Sequence, residues 1–432
     1  MWLVPAKREQ NDTRISSAER EEQVTKAQSQ RNVPRLRFLE FKGEWEKITL
    51  GEIGDTFNGL TGKSGSDFGH GSPYITYKSI FDNAKIDLSR VEYVEITDAE
   101  RKKKTQTEVQ YGDVFFTTSS ETPNEVGMSS VLLDNVKDCY LNSFCFGYRL
   151  KSLKFTLPEY MRFYLRSQTI RKKMYVLAQG STRFNISKGE VMKVSVMIPT
   201  VEEQHKIAVL FSLIDERIAT QNKIIEKLET LIKGFVDSIF TANKFPKVPF
   251  KEIYVRAGEG GTPATSNPEY YDNGTIPFIK IDDLQNKYIK TNKDCITELG
   301  LQKSSAWIVP ANSIIYSNGA TIGAISINLF PVCTKQGILG VVPKADINVE
   351  FLYYFMTSTA FTKAVERIVT EGTMRTAYLK DINHIPCPVP YPVKQDEIAK
   401  MLSTLSEKLE NEVIFQMKLQ KQKEFLLSQM FI

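Results

Sequence analysis

Two stretches of this chain, Glu202 to Phe240 and Val393 to Phe431, carry the same apolar stripe, and a chain with such a pair has few ways to hide it. In the first stretch apolar residues recur at alternating three- and four-residue steps through Ile207, Leu210, Ile214, Ile224, Leu228, Leu231 and Phe235, with charged residues on the other faces. That spacing predicts a long helix with a heptad seam. Aligning Pro390 on Pro199 shifts each position by 191 and lands on Ile398, Met401, Leu405, Phe415, Leu419, Gln422 and Leu426, the same stripe with one polar lapse. Both copies follow a proline-containing extended segment, Ile198-Pro199 and Val389-Pro390, and both place a glutamine, Gln204 and Gln395, just ahead of the first stripe residue. One unit has been used twice.

The rest of the chain repeats with the helices. Residues 1–33 are polar, with almost no apolar residue after Val4, and predict a disordered tail. A first α/β globule is expected over 34–200, with short strands at Tyr74–Tyr77, Val91–Ile96, Val114–Thr118 and Phe144–Leu150. Thr156-Leu157-Pro158-Glu159 has the form of a capping box ahead of a periodic segment from Tyr160 to Leu177. The first long helix takes 201–241. A second globule over 242–391 follows the same plan: Ile276–Lys280 echoes Ser72–Thr76, Ser313–Ser317 echoes Asp113–Thr117, and a helix from Glu350 to Val369 echoes Glu159 to Ala178. The second long helix takes 392–432. The order is globule, helix, globule, helix, an internal pseudo-twofold repeat of α/β (α+β) units.

At 432 residues such a chain can bury two or three cores. With 41% hydrophobic and 25% charged residues it belongs to neither the disordered nor the membrane class. Its apolar runs fall far below the roughly 18 residues that span a bilayer, and Met1–Pro5 lacks a signal-peptide core, so a cytoplasmic protein with no membrane partner is expected. The five cysteines form no CxxC pair and there are three histidines, which argues against zinc and disulfides. A net charge of +5 permits nucleic-acid binding without requiring it.

A helix of about 38 residues is roughly 57 Å long and needs a partner, for which its twin is nearest. A linker of about seven residues reaches at most about 25 Å, too short to bring the chain back along the first helix. The second helix is therefore expected to run antiparallel to the first. Near the middle both stripes turn polar, at Arg217 and Gln221 and at Lys408 and Glu412, and antiparallel pairing sets Gln221 opposite Glu412. Such a layer fits a register-fixing device and fits equally a splayed, hydrated mid-section.

With this layout in view, the chain resembles the specificity subunit of type I restriction-modification systems. Pro34–Phe38, Glu40-Phe41, Trp45 and Leu50–Ile53 are similar to that family's opening, Ile276–Lys280 to an early strand of its target recognition domains, and Pro199, Glu203, Gln204 and Ile207 to its helix entry. The second entry departs, with Lys394 where Glu203 stands and Ser406 where Asp215 stands. The resemblance implies a non-catalytic chain that binds double-stranded DNA, each globule reading one half of a bipartite, asymmetric site and the helix pair setting the gap. It implies docking to two modification subunits, which bind S-adenosylmethionine and methylate adenine, and to ATP- and Mg-dependent restriction subunits, with no cofactor bound by this chain.

Motifs for chemistry within the chain fall short. Gly59–Ser64 mimics a phosphate loop, but the first required glycine would fall at Phe57. Asn267-Pro268-Glu269-Tyr270 misses the methyltransferase Asn-Pro-Pro-Tyr by one residue, and Gly258–Gly261 lacks dinucleotide spacing. Base reading needs Arg, Asn, Gln, Ser or Thr on firmly held loops. The expected DNA-binding residues are Lys63, Ser64, Ser119, Ser120, Asn124, Ser181, Thr182 and Arg183 in the first globule. In the second they are Thr265, Asn267, Asn318, Thr321, Thr373 and Arg375. Arg183 and Arg375 occupy equivalent places and fit phosphate or base contact as well as a salt bridge near the helix entry. Arg101–Lys104 reads as solvated surface, Arg171–Lys173 as cations complementing a helix C-terminus, and His70 as a loop residue. Two other functions stay open: a coiled-coil adaptor without a DNA role, and a single-chain restriction and modification enzyme.

Overall fold

The structure, a computed structural model, describes residues 32–242, 245–319, 321–369 and 375–432. The expected tail lies outside the described residues up to position 31, as do Gly372, Thr373 and Met374. The chain divides into two compact units, one formed by the chain up to Ala219 with Met417–Ile432, the other by Thr220–Gln416.

The first unit holds a four-stranded antiparallel sheet in the order Gly54–Asn58, Cys145–Leu150, Val114–Thr117, Ser129–Val131. Beside it lies a three-stranded sheet in which Phe68–Ile75 pairs antiparallel with Glu92–Val94 and parallel with Tyr140–Leu141. A two-stranded ribbon, Glu46–Thr49 with Ser195–Ile198, leads into the long helix Val201–Ala242. The second unit repeats each piece. Its larger sheet runs Tyr254–Glu259, Ile338–Pro343, Ile314–Ser317, Ile325–Asn328, Tyr288–Ile289. In its smaller sheet Ile276–Ile279 sits between antiparallel Asp294–Ile296 and parallel Cys333–Thr334. Its ribbon pairs Lys247–Pro249 with Pro386–Pro388 ahead of the second long helix, Pro392–Met430. The all-buried strands Val114–Thr117 and Ile314–Ser317 are apolar runs covered on both faces, as their lack of alternation requires. Among the described residues no helix is long and apolar enough to cross a membrane.

Several local expectations are corrected. The helix read as continuous from Tyr160 to Leu177 is two, Pro158–Tyr164 and Gln168–Leu177, because the Ser167 hydroxyl accepts from Ile170 N–H and opens a new N-terminus. Its echo breaks at the same place: Val349–Thr357 and Thr359–Ile368 meet at Ser358, which caps Phe361 N–H. The capping box at Thr156 does not form; Leu157 is the N-cap, Thr156 is buried, and Tyr111 takes Glu159 instead. Tyr77 opens a helix, Tyr77–Asp82, rather than ending a strand, and His70 lies within a strand facing Glu95 at 3.3 Å.

Within each unit the long-helix segments run antiparallel. In the first, Phe211 stacks on Phe431 at 5.7 Å and Asp215 pairs with Lys423 at 2.5 Å. In the second, the Gln221 amide donates to the Glu412 carbonyl at 3.1 Å and to its carboxylate, while Val236 and Phe240 share a core with Ile398, Ala399 and Leu402. Lys408 pairs along its own helix with Glu412, and Arg217 is exposed. The seam also slips. Ile224, Leu231 and Phe235 are 39%, 46% and 41% exposed, while Ile225, Ile232 and Val236, one position later, turn inward. A straight helix drifts about 20° per heptad against a 3.5-residue repeat, which moves the buried face by that step over the helix length. The second helix behaves alike: Met401 and Phe415 are exposed and Leu402 is buried.

Each globule is pinned to its helix by the same joint. Gln204, fully buried, accepts from Leu157 N–H at 2.9 Å and donates to the carbonyls of Phe155 at 3.0 Å and Pro199 at 2.9 Å. Gln395 accepts from Asn348 N–H at 2.9 Å and donates to Asp346 at 3.1 Å and Pro390 at 2.9 Å. Every partner is displaced by the same 191 positions. The departures at the second entry have local explanations. Glu203 is buried and held by Nε and Nη2 of Arg37, at 2.7 and 2.6 Å, whereas half-buried Lys394 pairs with Glu397 on its own helix. Asp215 receives Arg162 and Lys423, whereas Ser406 meets the Tyr354 hydroxyl at 2.9 Å.

Candidate functional site

Two loops of the first unit converge. Ser119 and Ser120 form a short strand paired with Asn185 and Phe184, which brings the 118–124 loop against the 180–183 loop. Gly180 makes the turn possible: its φ is +129°, and a Cβ there would lie 2.2 Å from the Arg183 carbonyl oxygen. Ser181, Thr182 and Arg183 stand exposed on the tip, with Asn124 exposed beside them. Ser119 and Ser120 are buried beneath. The Tyr77 hydroxyl donates to the Ser119 carbonyl at 2.6 Å; burial pushes its pKa up, against the opposing charge of Arg183.

The adjoining segment is tied from inside. Glu125 accepts from the hydroxyls of Ser120 at 3.0 Å and Thr122 at 2.8 Å. Arg171 reaches in from its helix and donates to the carbonyls of Gly127 at 2.7 Å, Asn124 at 2.7 Å and Val126 at 2.6 Å. Nearby Arg166 donates to Ser129, Ile80, Phe81 and Asn83, closing the carbonyl end of the Tyr77–Asp82 helix. Burial lowers both guanidinium pKa values to about 10. The reading of Arg171–Lys173 as dipole-complementing surface cations is therefore corrected: the helix starts at Gln168, Arg171 lies in its first half, and Lys173 donates to the Ser195 carbonyl at 2.7 Å.

Lys63 is covered by an internal partner, and Ser64 is exposed but engaged in its own turn. The Lys63 side chain is 8% exposed and bonded to Glu100 at 2.7 Å, and Ser64 caps a short 3-10 turn with Asp67. Lys63 and the Thr97 backbone hold the Glu100 carboxyl at about 2. Gly59 packs against the Asn142 carbonyl, where a Cβ would fall 2.0 Å away, so its glycine serves close packing rather than a phosphate. Arg101 pairs with Asp138 and donates to Ser72 at 2.8 Å while remaining exposed, as are Lys102 to Lys104.

In the second unit, Asn318 is the counterpart of the Ser119 strand. It is buried, exchanges backbone and side-chain hydrogen bonds with Ala377 at 2.9 and 3.1 Å, and so docks the chain after Arg375 beside the Ser317–Thr321 segment. Thr321 and Arg375 are exposed and line one cleft of about 310 Å³ with Tyr316, Thr362 and Glu366. Asn267 is engaged as the cap of a 3-10 turn, accepting from Glu269 N–H at 3.1 Å, while Thr265 is exposed. Among the described residues no group of three or more His, Cys, Asp or Glu could hold a metal ion.

The model of the type I restriction modification DNA specificity domain matches this chain twice, over residues 42–230 and 247–418. The chain belongs to that family. Each match takes in one globule and part of one long helix. Among curated relatives, the putative type I restriction enzyme MjaX specificity subunit of Methanocaldococcus jannaschii is 24% identical over 401 residues, 88% of this chain and 91% of the relative. The EcoR124I/EcoR124II specificity subunit of Escherichia coli is 27% identical over 147 residues, 33% of this chain and 36% of the relative. Two solved structures share the fold. The type I S subunit from M. genitalium aligns with a TM-score of 0.54 at 16% identity, over 93% of this chain and 99% of its own. A chain from a structural study of assembly and conformational transition in the type I restriction-modification system aligns with a TM-score of 0.57 at 15% identity, over 90% and 98%.

In this type I DNA specificity subunit the exposed polar side chains of the first globule stand on loops braced from below. The braces, Arg166, Arg171, Glu125 and Tyr77, were not legible as site residues. The signal that could have found Arg171 is its divergence: 191 positions on stands Thr362, although the Ser167 and Ser358 caps ahead of both are retained.

Proposed function

We propose that each globule reads one half of a bipartite, asymmetric DNA site and that the long helices set the unread gap. The observation that carries this is the identical glutamine joint beneath loops of different sequence: the mounting is duplicated and the reading surface is not. Two unlike readers on one spacer suit two different half-sites at a fixed separation. In the first globule the contacts fall to Asn124, Ser181, Thr182 and Arg183, and in the second to Thr265, Thr321, Thr373 and Arg375. Buried Ser119, Ser120 and Asn318 shape the loops.

The chain itself carries no catalysis and binds no cofactor in this reading. Two modification subunits supply S-adenosylmethionine and adenine methylation, and restriction subunits supply ATP- and Mg-dependent cleavage, all in the cytoplasm. Exposed Ile224, Leu231 and Phe235, at seven- and four-residue steps on one face of one helix, and Ile414 and Phe415 on the other helix support docking along the helices. The test is to express the chain with its modification subunit and map methylated bases. Two short motifs at constant spacing are expected; a single continuous motif, or none, refutes the reading.

A further inference from the structure

We propose that Arg171 is the positioning residue for the first half-site: its guanidinium sets the shape of the 118–128 loop, and through it the base preference of the first globule alone. The inference rests on the reading of that loop as a DNA-contacting element. Three carbonyls of one loop, those of Asn124, Val126 and Gly127, converge on one side chain. A planar fork with several fixed donors can hold them at once, whereas a single ammonium cannot match that geometry. Among the described residues no carboxylate shares these bonds, so what the half-buried cation holds is backbone. Gly127 adds a second constraint, with φ of +64° and a Cβ position 3.3 Å from the Ile186 side chain. The loop has little freedom to change while Arg171 stays in place, and Asn124 is both a clamped carbonyl and an exposed side chain.

The second globule has a different residue at the equivalent place. Ser358 caps its helix as Ser167 does, and four residues on Thr362 stands where Arg171 stands. There the space between helix and loop is the cleft of about 310 Å³ flanked by Thr321 and Arg375. That loop is held from its other side, by Asn318 with Ala377 and by Gly319 N–H on the Gly337 carbonyl at 3.1 Å. The two readers are thereby held by different contacts.

The test uses the full chain assembled with its modification subunits and selection from a pool of randomised duplexes, for the native protein, Arg171→Ala, Arg171→Lys and Asn124→Ala. In Arg171→Ala, preference at the first half-site should fall about tenfold or more, the scale of a mismatched base pair, with the second half-site unchanged. Arg171→Lys should restore part of it. Hydrogen exchange should rise across 119–128 and stay native in Val114–Thr117. An unchanged first half-site in Arg171→Ala overturns the inference, as does exchange rising throughout the Val114–Thr117 strand, which would make Arg171 a general stabiliser. If Asn124→Ala also leaves the first half-site unchanged, the loop is not a reader and the underlying assignment fails; if Asn124→Ala alters it and Arg171→Ala does not, only the positioning role fails.

Discussion

The side-chain amide of Gln221, 2% exposed, donates to the backbone carbonyl of Glu412 at 3.1 Å and to its carboxylate. A buried polar pair of this kind stabilises little against an apolar replacement but penalises misalignment. Gln221→Leu alone removes the amide's two hydrogen bonds to Glu412 while Lys408 still pairs with that carboxylate, and should cost about 1 kcal/mol in chemical denaturation. Gln221→Leu with Glu412→Leu should recover that stability and lose uniqueness of register, read by disulfide trapping between the 220–242 and 392–416 segments. A single trapped register in the double variant would show that the apolar neighbours alone fix alignment.

The glutamine joints make a paired prediction. Gln204→Ala leaves Leu157 N–H and two carbonyls without their partner, and should cost about 1–3 kcal/mol per stranded group where water cannot reach. Exchange should quicken at 155–158 and stay native at 346–348. Gln395→Ala should do the reverse. Equal loosening of both joints in either variant would mean that the units are not independently mounted.

Duplication was legible because it rests on spacing, which survives divergence: Pro199 and Pro390, Gln204 and Gln395, and the paired central strands all announced themselves. Three features were not. The helix breaks at Ser167 and Ser358 were hidden by uninterrupted apolar periodicity across them, although each serine is a good N-cap. The inward face of the long helices was misjudged at Ile224, Leu231 and Phe235, since heptad counting assumes a supercoil that a straighter helix does not follow. Arg171 was taken as surface because a cation on a helix usually is; carbonyls contributed by another part of the chain turn it inward, and no local pattern records that.

Acid should act on the Lys63 contact in a defined window. The Glu100 carboxyl is held at about 2, chiefly by its hydrogen bond to Lys63. A carboxyl depressed below its unfolded value, about 4.3, stabilises the fold above that value and loses the contribution as pH falls from about 4 toward about 2. Lys63→Met should raise the Glu100 midpoint toward the ordinary range in a carboxyl NMR titration. DNA affinity in the assembled complex should change little, because Lys63 is buried by its partner. A large affinity loss would return Lys63 to the reading surface.

Lengthening both long helices tests the spacer. A heptad inserted in each adds about 10 Å, and about three base pairs at roughly 3.4 Å each. Methylation mapping should find both half-sites intact and the gap widened. Altered half-sites would refute the separation of reading from spacing.

Ile224, Leu231 and Phe235 lie in water along a helix whose opposite face is already filled. Such a ridge makes the chain self-adhesive when synthesised in excess of whatever covers it. In the proposed assembly, where partner subunits dock on this ridge, balanced translation with them becomes a condition of solubility, and the dose of this one gene product limits how much of the assembly a cell can safely make.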